Sequence, residues 1–177
     1  MTVMDPVELY RALLRDAHEF LEGTMADVTP AQFAWDPPGV AFNIATNYAH
    51  ALTSVDFGIH RLLLGRDLLA TGEWKDVFGP GGAPPLGPGA DLKGWSRTAT
   101  VEQAGLRRYG QAVFAAADRF LATLTPDALA RPLDMSAFGF GQQTWLFILK
   151  AILANTSLHT GEISCLKGQQ GARGYPV

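Results

Sequence analysis

The chain has 177 residues, 47% of them hydrophobic and 18% charged, with a formal net charge of −3 and a pI near 5.7. That composition describes one globular domain over 1–177 with enough apolar residues for a core, and it argues against wholesale disorder. No basic footprint marks a nucleic-acid partner, and no apolar run approaches the roughly 18 residues of a membrane span.

The opening Met1-Thr2-Val3-Met4-Asp5-Pro6 has neither the basic region nor the apolar stretch of a signal peptide. Cys165 is the single cysteine, so an intramolecular disulfide is impossible and a reducing, cytoplasmic setting is the expectation.

The spacing predicts a first helix from Asp5 to near Asp27. Pro6 suits the first helical position, and Asp5 with Glu8 has the spacing of a capping box. Leu9, Leu13, Ala17, Phe20 and Leu21 recur at helical intervals as its buried stripe. Thr29-Pro30 opens at most a turn or short helix, and Trp35-Asp36-Pro37-Pro38-Gly39 must be extended or turn-like.

Asn43 is the expected N-cap of a second long helix that runs to about Leu64. Its apolar stripe is Ile44, Tyr48, Leu52, Val55, Ile59, Leu62 and Leu63. Residues 65–99 then carry Gly79-Pro80-Gly81-Gly82 and Pro84-Pro85-Leu86-Gly87-Pro88-Gly89, which exclude regular structure there. Trp74, Phe78 and Trp95 bracket the stretch, so the loop is expected to be pinned on the bundle. It reads either as a crossover connection or as a cover for a substrate.

A third helix begins at Thr100 to Gln103 and turns Leu106, Tyr109, Val113, Ala117, Phe120 and Leu124 inward. Residues 133–143, with Phe138-Gly139-Phe140-Gly141, form an irregular approach to the last helix. There Trp145, Leu149, Ile152, Thr156, His159, Ile163 and Leu166 alternate spacings of four and three until Gly168. The turn-rich tail is expected to fold back. Four long helices with one long Gly/Pro-rich crossover loop make an all-α four-helix bundle.

Phosphate loops, nucleophile elbows and zinc-protease or zinc-finger signatures are missing from the sequence. Chemistry must therefore come from polar residues on inward helix faces. His159 lies on the seam of the last helix, with Asn155 one turn before it and Glu162 at i+3. It is either a histidine satisfied by a neighbour such as Asn155 or a tyrosine, or a metal ligand. His50 shares a polar seam with Asn43, Asn47 and Ser54, which is a solvated flank or a pocket wall. His18 and Glu22 read as a solvated face, His60 as a cation at a helix end, and Cys165 as a small core residue or a quiet thiol.

The run His159-Thr160-Gly161-Glu162-Ile163-Ser164-Cys165-Leu166-Lys167-Gly168, continued by Gly171 and Gly174-Tyr175-Pro176, resembles the closing motif of the DinB/YfiT-like superfamily. Trp35-Asp36-Pro37-Pro38-Gly39 and the histidine midway through the second helix resemble the same family, in the same helix order.

The resemblance implies a four-helix bundle, a homodimer, and a divalent ion such as zinc or nickel held by three histidines. One of these belongs to the second helix and two to the last, spaced His-x-x-x-His. On this chain His50 and His159 match two of the ligands, and Asn155 stands where the third histidine belongs. A carboxamide oxygen is a weaker donor for such ions than an imidazole, which puts occupancy of the site at issue.

Glu162 is then a supporting residue behind His159 or a substitute ligand, and Asn47 and Ser54 belong to the pocket. The activity implied is a metal-dependent thiol transferase or hydrolase with a small-molecule substrate. The competing reading is a non-catalytic bundle that has lost its metal and binds a small molecule or dimerises, with Asn155 hydrogen-bonded to His159.

Overall fold

The computed structural model describes residues 4–176, and the opening Met1-Thr2-Val3 lies outside them. Four long helices carry the fold: α1 (Pro6–Met25), α3 (Ile44–Asp56), α5 (Gln103–Leu121) and α6 (Trp145–Gln169). Short helices α2 (Pro30–Ala34) and α4 (Leu92–Thr98) lie in the connections. A two-stranded antiparallel hairpin, β1 (Pro132–Asp134) with β2 (Gln142–Thr144), leads into α6. Each long helix touches two others: α6 packs between α1 and α3, and α5 closes the ring on the other side. The result is the all-α helical bundle that the periodicity predicts.

Local chemistry sets the helix starts. The Asp5 side chain accepts from Val7 N at 2.7 Å and Glu8 N at 3.4 Å, capping α1. The reciprocal half of a capping box is not formed, because Glu8 instead pairs with Arg11 at 2.7 Å. Thr29 and Gln32 do form a full box at the start of α2. Asn43 caps α3 through Thr46 N at 2.8 Å, and its own amide donates to Asp36 at 2.9 Å. The Trp-Asp-Pro-Pro turn thereby fixes the entry to α3.

The buried stripe of α1 differs from the expected one. Val7, Tyr10, Leu14, Leu21 and Met25 face the core, whereas Leu9, Leu13 and Phe20 are exposed. Both stripes are apolar, so partners decide the rotation. Tyr10 donates to the Leu149 carbonyl at 2.8 Å, and Arg11 grips Asp118 at 2.9 and 3.0 Å. The tail folds back as expected: the Tyr175 ring stacks on Phe20 with centres 5.2 Å apart, and Pro176 packs over Gly23.

Helix α3 passes without a break into a π-helical stretch, Phe57–Leu63, where Leu64 N bonds Ile59 O at 3.0 Å. Such wide turns recur at functional sites. At the junction sits Asp56, fully buried. It accepts from Tyr109 OH at 2.7 Å, Ala70 N at 2.9 Å and Leu69 N at 3.2 Å. His60 Nδ1 lies 2.7 Å from Oδ1, the oxygen that accepts from Leu69 N, but off the hydrogen-bonding direction.

His60 lies in the last turn of this stretch, as expected, and is buried beside Asp56. This carboxylate ties the start of the long connection to α3 and α5. Further along, Phe78 and Trp95 are buried, and Trp95 Nε1 donates to Gly82 O at 2.9 Å. The Gly/Pro loop is therefore pinned at several points.

Removing the Asp56 carboxylate strands buried donors. Asp56→Ala is expected to cost about 3–5 kcal/mol and Tyr109→Phe about 1–2 kcal/mol in chemical denaturation. Equal, near-zero losses for both would show that the connection is held elsewhere.

Candidate functional site

Two side chains hold the His159 ring at one nitrogen. Its Nδ1 lies 3.1 Å from Asn47 Oδ1 and 2.6 Å from Glu162 Oε2. The Asn47 amide group donates to Phe42 O at 3.3 Å and Asn43 O at 3.2 Å, which fixes its oxygen toward the ring. Both neighbours of Nδ1 are then acceptors, so Nδ1 carries a proton, and in the neutral ring the lone pair is on Nε2. Asp36, Asn43 and Asn47 form the relay that connects the early proline turn to this ring.

His50, on α3, meets His159, on α6, edge to face, with ring centres 5.0 Å apart and an interplanar angle of 79°. Burial, and to a lesser degree the neighbouring His159, pulls the His50 pKa down to about 4. His50 is therefore neutral near pH 7, the form that can ligate a metal. Its Nδ1 is buried without a hydrogen-bond partner, and so is Asn155 Oδ1. The Asn155–His159 hydrogen bond of the competing reading is not formed: Asn155 Oδ1 has no partner, and His159 Nδ1 turns to Asn47 and Glu162.

Beside these groups lies a cleft of about 350 Å³. His50, Ser54 and Asn155 line it, together with Phe57, Phe138 and Phe147, and Leu86 and Gly87 of the Gly/Pro loop form part of its wall. All six residues singled out from the sequence thus fall in one neighbourhood. His50, Ser54 and Asn155 face the cleft, and Asn47 and Glu162 buttress His159 from behind. The phenylalanines were not singled out as site residues, although the Phe-Gly-Phe-Gly irregularity was the available signal.

Two other expectations change. His18 is not on a solvated face: its ring stacks on Phe114 with centres 3.8 Å apart, and burial lowers its pKa. Glu22 beside it accepts from Tyr48 OH and pairs with Arg107 at 3.2 Å. Cys165 is exposed, not a core residue, because the last turns of α6 present that side to solvent.

Among the described residues no three His, Cys, Asp or Glu side chains gather into a set able to hold a metal ion. The donors at this site are two imidazoles and one carboxamide. Two imidazoles sharing one ion at about 2.1 Å and a near-tetrahedral angle have ring centres about 5 Å apart, as here. Glu162 on Nδ1 matches the carboxylate–histidine pairing common behind metal-ligating histidines. The residues present therefore fit a divalent ion on His50, His159 and Asn155.

Residues 13–163 match the family model of the DinB superfamily. The chain belongs to the DinB superfamily. A crystal structure described as that of the conserved protein of locus from Enterococcus faecalis superposes with a TM-score of 0.76 at 19% identity. The match covers 93% of this chain and 96% of that one, and it shows likeness of fold alone. No curated protein matches the chain. Among the described residues no helix is long and apolar enough to cross a membrane.

The lowered pKa of His50 has a measurable consequence in metal-free protein. The unfolded chain takes up the proton near pH 6.5 and the folded chain only near pH 4. Stability is therefore full above pH 6.5 and falls as the pH drops toward 4, with His18 acting in the same direction. Thermal melts in chelator should show this decline, and His50→Gln should flatten it. An unchanged slope in His50→Gln would mean that His50 is as solvated as an ordinary histidine.

Proposed function

We propose that this DinB-superfamily protein is a metal-dependent enzyme acting on a small molecule, of the thiol-transferase or hydrolase type. His50, His159 and Asn155 hold the ion. The supporting observation is a pair of buried, unpartnered atoms able to ligate, His50 Nδ1 and Asn155 Oδ1, beside a histidine whose Nδ1 is taken by Asn47 and Glu162. Unsatisfied buried polar atoms are uncommon and point to an ion, a water or a catalytic role.

What a divalent ion such as zinc or nickel supplies in such a site is Lewis acidity, which lowers the pKa of a water or thiol. The protein's own part is positional. Glu162 and Asn47 orient the His159 ring through its Nδ1. Ser54 offers a hydroxyl one turn from His50 for orienting a substrate. The phenylalanine walls give the cleft an apolar lining beside these polar groups.

A homodimer belongs to the same proposal. Adjacent helices α1 and α6 carry exposed Leu9, Leu13, Leu146 and Leu158, apolar surface suited to a second copy.

Elemental analysis of untagged protein, dialysed after exposure to zinc or nickel, tests the metal reading. Near-stoichiometric metal is expected in the native chain and none in His50→Ala. Glu162→Gln is expected to weaken binding by about 10- to 100-fold. Absence of metal from the native chain, with recovery in Asn155→His, would replace the metalloenzyme by a bundle that has lost its ion.

A further inference from the structure

The walls of the cleft beside His50 carry information about what it admits. No Lys, Arg, Asp or Glu lines it. The charged residues of the hairpin and its approach are engaged elsewhere. Arg131 lies over the Trp145 ring at 4.8 Å, and Asp134 accepts from Ser136 N at 2.9 Å. The cleft between α1 and α5, about 280 Å³, is by contrast lined by Arg11, Arg15 and Asp118.

Aromatic rings dominate the charge-free cleft. Phe138 at the hairpin tip meets Phe57 of the π-helical stretch edge to face at 5.9 Å, and Phe140 meets Phe147 of α6 at 5.3 Å. These two pairs bridge the hairpin to the π-helical stretch and to α6, and all four rings line the cleft. The polar groups are confined to His50, Ser54 and Asn155. A volume of about 350 Å³ is at the small end for ligand sites.

We propose that the substrate is an uncharged, largely aromatic or apolar small molecule with one polar end. Its apolar body lies among Phe57, Phe138 and Phe147, and its polar end meets His50, Ser54 and Asn155. The selectivity rests on reading the cleft as the substrate site, and it follows from solvation. A carboxylate or ammonium group would leave water for walls that offer it no counter-charge, whereas an aromatic body gains contact at no such cost. The hairpin and the Gly/Pro loop are then specificity elements, since Phe138, Leu86 and Gly87 form the wall opposite the helices.

The test uses three ligands of one skeleton: 2-naphthamide, 2-naphthoate and 2-naphthylmethylammonium. Binding is measured by calorimetry on the full chain in chelator, so the outcome does not depend on whether a metal is held. The neutral amide should bind at least about 100-fold more tightly than either ion. Phe138→Ala should weaken the amide.

Ala151→Asp, which places a carboxylate on an exposed wall position of α6, should transfer the preference to the ammonium analogue, a switch that misfolding cannot produce. Equal affinity for all three, preference for the carboxylate, or no switch in Ala151→Asp would overturn the assignment. So would a failure of the amide to bind while Phe140→Asp splits a dimer, since the cleft would then be a subunit contact. Loss of metal binding with this selectivity intact would count against the metal reading alone.

Discussion

The close approach of α3 and α6 is the constraint on which the rest of this structure depends. Gly58 makes it possible: a Cβ there would lie 2.6 Å from Ile152 Cδ1 and 2.8 Å from Cγ1. With no side chain at 58, the helices come near enough for His50 to meet His159 ring against ring. They also come near enough for Asn47 to reach His159 Nδ1. Each of these contacts joins a residue of α3 to one of α6, so widening the gap would undo all of them together. The close fit is ordinary core packing, and its consequence is a polar site built inside an apolar seam.

A second contact set holds the far side of the site. Buried Asp56 begins the π-helical stretch and binds the start of the long connection, while Tyr109 anchors it to α5. Phe57, Gly58 and Leu62 of the wide turns line the cleft, and the pinned loop supplies Leu86 and Gly87 opposite them. A buried carboxylate is costly without partners, and here its backbone and side-chain donors satisfy it. The same network that stabilises the connection therefore places one wall of the cleft.

The helices were legible because their periodicity is strong and their starts carry chemistry: Asp5, Thr29 and Asn43 all cap as their residue types suggest. The rotation of α1 was not legible. Leu9, Leu13 and Phe20 form as good an apolar stripe as Tyr10, Leu14 and Leu21, and only tertiary partners separate them. The α6 seam was readable because Leu149, Ile152, Thr156, Ile163 and Leu166 of the expected alternation are buried, with Trp145 and His159 half-buried beside them.

Family resemblance drew attention to His50, Asn155 and His159, but not to the tautomer of His159, which depends on the orientation of the Asn47 amide. The cleft was invisible for a simpler reason. Its walls come from residues near 57, 86, 138 and 147, and no local pattern joins them. Asp56 could have been noticed as an acid one turn after Leu52 on a core-facing helix.

Nitrogen-15 NMR of the histidine side chains during a zinc titration tests the central claim most directly. The account predicts that of the four histidines only His50 and His159 respond, together and at one equivalent. His159 should ligate through Nε2 while Nδ1 keeps its proton, and His18 and His60 should remain unchanged. Silence from both rings at stoichiometric zinc, or a response led by His18 or His60, would contradict a metal centre between α3 and α6.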